Sequence, residues 1–150
     1  MKFLIQVVKN ASVNVDNKTI GSIDRGFLVF VGVCDSDTKE IADKMIRKAV
    51  NLRIFEDENG KTNLAIGDIT GSMLVISQFT LYADCRKGNR PSFIKAGDPD
   101  HANEIYEYIL SELRNTYNIP TESGSFGADM QVSLVNDGPF TVMLDSDELF

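Results

Sequence analysis

Hydrophobic residues fall in short runs along the chain, and the spacing within each run assigns its element. From Phe3 to Val15 the sequence is rich in Val and Ile, and Val13 and Val15 alternate with polar neighbours, the period of a half-buried strand. Asp16-Asn17-Lys18 reads as a turn, followed by Thr19 to Ile23 and, after Asp24-Arg25-Gly26, by the apolar run Phe27 to Val33. This pattern predicts three strands in a meander. A helix is expected next, capped by Ser36 or Asp37, because Ile41, Met45, Ala49 and Leu52 recur at helical spacing with Lys and Arg over much of the opposite face.

Asn59-Gly60 is a strong turn signal and predicts a long hairpin after Arg53-Ile54-Phe55. Met73 to Leu81 reads as the next strand, and Ala83 to Gly97 as an irregular, basic loop punctuated by Gly88, Pro91 and Gly97. Asp98-Pro99 opens a second helix ending near Asn118, since proline is tolerated in a first turn and Ala102, Ile105, Tyr106, Ile109, Leu110 and Leu113 trace one face. Met130, Val132 and Leu134 then alternate with polar residues, and strand character resumes from Thr141 to Leu144 after Gly138-Pro139. Proline in a strand run implies an edge or a break in pairing. The expected fold is a single α+β domain over residues 1–150, in which a largely antiparallel sheet, with a barrel-like curl as one form, packs two main helices.

Composition narrows the function classes. A chain of 150 residues with 43% hydrophobic content supports one real core. No run approaches the roughly 20 apolar residues of a membrane span, and the early apolar stretch lacks a cleavage signature, so a cytoplasmic protein without a membrane partner is expected. Cys34 and Cys85 form no C-x-x-C pattern, and His101 is the single histidine, so neither a disulfide framework, a zinc site nor a histidine-based triad is indicated. His101 itself reads as a solvated residue in a helix's first turn. The net charge of -7 argues against non-specific nucleic-acid binding and against a DNA partner. Arg86, Lys87, Arg90 and Lys95 nevertheless stand against the single acid Asp84, a local basic patch able to meet a few phosphates.

Two runs carry the candidate chemistry. Ser77-Gln78-Phe79-Thr80-Leu81 closes one hydrophobic strand, and Asn136-Asp137-Gly138-Pro139-Phe140-Thr141 interrupts another. Both put hydroxyl, amide and backbone groups where a buried strand would supply apolar side chains, which describes a polar pocket at strand ends. With Asn51 to Phe55, Arg86 to Phe93 and Gly127-Ala128-Asp129-Met130, they form five ordered segments across the chain that resemble the D-aminoacyl-tRNA deacylase family.

The resemblance implies a homodimer that hydrolyses the ester joining a D-amino acid, or glycine mischarged on alanine transfer RNA, to the 3' terminal adenosine of tRNA. No cofactor and no metal ligand are expected among the chain's residues. Each active site would combine Ser77, Gln78, Phe79 and Thr80 of one chain with a cis Gly138-Pro139 pair from its partner, and Met130 and Asn136 would join the substrate-binding set. Glycine contributes no Cβ and proline no N–H, so two carbonyls of the pair can crowd an L side chain while leaving a D side chain free. Exclusion by a clash needs no fitted pocket for each accepted side chain. Arg86, Lys87 and Arg90 would contact RNA.

Thr80 is the obvious protein nucleophile, yet no histidine in its motif can take its proton, and a bare hydroxyl is weak. Substrate assistance fits better: the adenosine 2'-hydroxyl orients or activates water, backbone N–H groups near Phe79 and Thr80 relieve the oxyanion, and Gln78 and Ser77 position the amine or adenine. One position departs from the family pattern. Gln6 is followed by Val7, where most members carry an arginine that braces the Gly-Pro segment, and its loss is expected to relax rejection of L-substrates unless another residue compensates for it. Two other readings of the same residues stay open, a Thr80-dependent esterase of small free esters and a non-enzymatic RNA- or nucleotide-binding module.

Overall fold

The computed structural model describes all 150 residues. Strand β1 (Lys2–Val15) is the spine of the sheet. Strands β2 (Lys18–Ile23) and β3 (Gly26–Gly32) both return antiparallel along one edge of it, Lys18 opposite Val15 and Gly32 opposite Lys2. The expected meander is therefore corrected to the order β2-β1-β3. The physical reason is length: 14 residues of β1 accommodate both return segments end to end, so Asp24-Arg25 is a kink in one return path and not a turn between paired strands.

Helix α1 (Lys39–Val50) is capped by Thr38, whose hydroxyl accepts from the Ile41 N–H, and neither Ser36 nor Asp37 plays that role. Asp37 is instead drawn inside. Its carboxylate takes hydrogen bonds from the Met1 ammonium at 2.7 Å and the Cys34 N–H at 2.8 Å, with only 2% of its surface exposed. The Asn59-Gly60 turn is present but its hairpin is short, β4 (Phe55–Glu56) against β5 (Thr62–Leu64), with Gly60 at φ +71. Beyond the core-facing Phe55–Leu64 pair, polar Asn63 and charged Lys61 give this ribbon no further apolar face to extend it.

Strand β6 (Ser72–Ser77) runs parallel to β3, and β7 (Thr121–Ser123) parallel to β6. The expected strand to Leu81 stops four residues early, at Ser77, and Phe79–Tyr82 wind into a 3-10 turn. β3 ends at Gly32 and can pair no further, and a Cβ on Gly32 would sit 3.1 Å from Leu81 Cβ, so glycine leaves room for the turn. Helix α2 (Pro99–Asn115) begins on the Asp98 cap, as the Asp98-Pro99 pair predicts. Strand β8 (Gln131–Asp145) pairs with the second edge of β1, and a short helix α3 (Ser146–Leu149) follows.

Three strand pairings are antiparallel and two parallel within the main sheet, which curls toward closure where β2 nears β7: a Cβ on Gly21 would lie 2.9 Å from the Ser123 carbonyl oxygen. The two faces of this mixed α+β sheet have separate cores. Phe3, Ile5, Phe27, Val29, Met73 and Val75 pack against α1 and α2, whereas Val8, Val13, Ile23, Leu28, Leu74 and Ile76 fill the barrel side. No helix is long and apolar enough to cross a membrane.

Candidate active site

The C-terminal ends of the parallel pair β3 and β6, the first turns of α2 and the segment before β8 enclose a cavity of about 480 Å³. Val31 and Ile76 form its floor, and Ser77, Gln78, Phe79 and Met130 line it. Pro99, Ala102, Tyr106 and Phe126 supply a wall the sequence did not announce, because their spacing is that of ordinary helix and core residues. The only hint was a tyrosine among aliphatics.

Tyr106 is the one ionisable side chain in the lining. Its hydroxyl donates to the Val75 carbonyl at 2.8 Å and burial pushes its pKa up, so it stays neutral and engaged. No carboxylate, imidazole or thiol lines the cavity, and nowhere do three His, Cys, Asp or Glu side chains gather to hold a metal ion. His101 lies near the rim yet is not the solvated residue expected. It is half-buried, with Nε2 3.0 Å from the Asp37 carbonyl oxygen, because α2 packs against the loop that carries Asp37.

Thr80 stands one residue beyond the lining, and its hydroxyl oxygen accepts a hydrogen bond from the Gln78 amide. An oxygen so engaged, with no base beside it, is a poor nucleophile. The backbone offers more. At the start of the 3-10 turn the N–H groups of Phe79 and Thr80 have no acceptor within the chain, as expected of the first donors of any helical turn. Two adjacent unsatisfied donors at a cavity mouth are suited to a developing oxyanion.

The second motif lies elsewhere in the chain. Pairing of β8 with β1 passes from Asn136 opposite Val8 to Thr141 opposite Gln6, so residues 137–140 bulge out across from Val7. The Gly138-Pro139 bond is cis, both residues are exposed, and neither lines the cavity of its own chain. Asn136 clamps the bulge: its Oδ1 accepts from the Phe140 N–H at 2.9 Å, and its Nδ2 donates to the Phe140 carbonyl and to Thr141 Oγ1, each at 3.3 Å. Gln6 Nε2 donates to the same hydroxyl at 3.2 Å.

In the basic loop, Arg86 is held by Asp84, whose carboxyl its guanidinium keeps well below the usual range. Lys95 Nζ is 3.8 Å from the same carboxylate, leaving Lys87 and Arg90 without ion pairs.

Residues 4–145 match the family model described as D-Tyr-tRNA(Tyr) deacylase. The chain belongs to that family. Membership makes it an enzyme, a hydrolase of aminoacyl esters of transfer RNA, and the family likeness spans the whole chain. It is 53% identical to the D-aminoacyl-tRNA deacylase of Thermosipho africanus over 150 residues, 100% of both proteins. Among solved structures, one titled c-Myc DNA Unwinding Element Binding Protein is 41% identical and superposes with a TM-score of 0.91 over 97% of this chain and 98% of that one. Another, titled as a probable eukaryotic D-amino acid tRNA deacylase, is 17% identical with a TM-score of 0.84, covering 95% and 97%, and shares the fold.

Proposed function

We propose that the chain hydrolyses D-aminoacyl-tRNA and glycyl-tRNA(Ala), with the amino acid and the terminal adenosine held in the cavity bordered by Ser77, Gln78, Phe79 and Met130. The carrying observation is the pair of unsatisfied N–H groups at Phe79 and Thr80 beside a cavity that contains no general base. A site so built stabilises charge without moving protons. The 2'-hydroxyl next to the scissile ester supplies the remaining function by orienting the attacking water, and Gln78 and Ser77 position the ligand.

Handedness, in this reading, comes from the carbonyls of Gly138 and Pro139 acting on the cavity of a second copy. Their distance in sequence and exposure in the single chain support a gate that works only in trans. A homodimer is also favoured by the outer edge of β8, which has no strand partner, and by exposed Phe79, Phe93, Ile94, Val135 and Met143. Asn136 and Gln6 take over the bracing of the bulge that an arginine at position 7 would provide. The setting is the cytoplasm, where charged tRNA is made and used, and Lys87 and Arg90 meet its phosphates.

The mechanism is tested with D-aminoacyl-tRNA whose terminal adenosine is 2'-deoxy, carrying the amino acid on the 3'-oxygen. Cleavage at least 100-fold slower than on the normal substrate is expected, while Thr80→Ala keeps most of its rate. Equal rates on the two substrates would remove substrate assistance. Loss of all activity in Thr80→Ala would restore the threonine nucleophile.

A further inference from the structure

Away from the cavity, the far end of α1 carries a second feature that the reaction does not use. Lys44, Arg47 and Lys48 are exposed on one face of the helix at i, i+3 and i+4, and Arg53 follows beyond its end. They line a groove of about 370 Å³ that Asn51, Leu52 and Phe150 complete. No acidic side chain lines it, and none of the chain's ion pairs involves these four cations. The nearest acids on the helix are turned elsewhere: Asp43 accepts from the Tyr108 hydroxyl at 2.7 Å, and the Glu40 carboxyl is held low by the Thr38 hydroxyl.

Arg47 and Lys48 complement the negative end of the helix dipole, which explains two cations. Lys44, more than a turn from that end, and Arg53, outside the helix, gain little from it. Four cations without ion pairs in one concavity, of which Arg53 is hydrogen-bonded to neutral Asn63, favour a polyanion on a chain of net charge -7. Phe150, 56% exposed with Lys44 Nζ 5.3 Å from its ring centre, adds an aromatic face of the kind that nucleic-acid surfaces place among cations.

We propose that this groove binds backbone phosphates of the substrate tRNA, away from its aminoacylated end. The inference rests on the reading of the chain as a tRNA deacylase. Its geometry suits that partner: the N-terminal end of α1 adjoins the rim of the cavity through the Asp37–His101 contact, and the helix's 12 residues carry the groove about 18 Å further along the surface. An RNA with its 3' end in the cavity extends over at least that distance. The isolated aminoacyl-adenosine cannot reach it.

The test compares wild type with Lys44→Gln/Arg47→Gln/Lys48→Gln, which keeps good helix formers and spares Arg53, because Arg53 Nε also supports the Asn63 carbonyl at 2.8 Å. Binding of uncharged tRNA is measured against salt, and turnover is measured on D-aminoacyl-tRNA and on D-aminoacyl-adenosine. The expected result is tRNA affinity about 10-fold weaker, a log–log salt slope shallower by about 2 to 3, KM raised with kcat unchanged on charged tRNA, and no change on the adenosine ester. Unchanged affinity and slope would overturn the groove, as would equal losses on both substrates. Failure of wild type to cleave either substrate, with tRNA binding still weakened by the substitutions, would overturn the deacylase reading and leave the groove as an RNA site.

Discussion

Asn136→Ala removes the clamp that holds the Gly138-Pro139 bulge while leaving the bulge's own residues intact. Three hydrogen bonds go with the amide, one at 2.9 Å and two at 3.3 Å, and the Phe140 N–H loses its acceptor. The Thr141 hydroxyl retains Gln6. With about 1 kcal/mol for the short bond and about 0.5 kcal/mol for each long one, the bulge loses about 2 kcal/mol of local order, equivalent to about 30-fold in its equilibrium with displaced conformations. The cavity residues are untouched, so D-aminoacyl-tRNA should be cleaved within about 3-fold of the wild-type rate. The rate on the L-isomer should rise by up to about 30-fold, and Asn136→Asp, which keeps the acceptor for Phe140, should fall between. Hydrogen exchange at the Phe140 amide reports the loosening independently. Faster exchange with an unchanged D/L ratio would show that the position of the bulge has no part in selectivity, and unchanged exchange would refute the clamp itself.

Two further expectations concern charge. Asp37→Ala strands the buried Met1 ammonium, which then keeps only Ser146 Oγ at 2.6 Å, and should cost about 3 to 5 kcal/mol, lowering Tm by roughly 10 °C; a fall below 2 °C in a calorimetric scan would contradict the buried pair. Asp84, whose carboxyl is depressed chiefly by the Arg86 side chain, contributes stability to the basic loop at any pH above its ordinary 3.8, and that contribution is lost only as pH falls below 3.8 toward the folded value. In Arg86→Gln a carboxyl NMR titration should move upward toward the ordinary range without reaching it, because the residue 86 N–H and Lys95 still face the carboxylate; an unshifted titration in that variant would assign the whole effect to those neighbours.

Local rules made much of this fold legible. The Asp98-Pro99 helix start, the Asn59-Gly60 turn and the alternation in β1 each follow from chemistry within a few residues. The failures were tertiary. Whether β2 and β3 paired with each other or with β1 depended on the length of β1, and the end of β6 depended on where β3 stopped supplying partners. Ser77 and Gln78 stood out as polar residues after an apolar run, and Met130 came with its motif. Tyr106, Ala102 and Phe126 did not, because an apolar cavity wall has the same periodicity as a core. The unsatisfied N–H groups of Phe79 and Thr80 were expected near the site on chemical grounds, but their release comes from the 3-10 turn, which strand-like Phe79-Thr80-Leu81 concealed. Nor did sequence show that Asp37 would be buried.

Selection by handedness is tested most directly on the unmodified protein, with one transfer RNA charged in parallel with the D- and L-forms of a single amino acid, and release of free amino acid followed at matched concentration. The account predicts rapid release of the D-form and L-ester persisting close to its spontaneous rate. Equal release of the two, or no release of either, would contradict it.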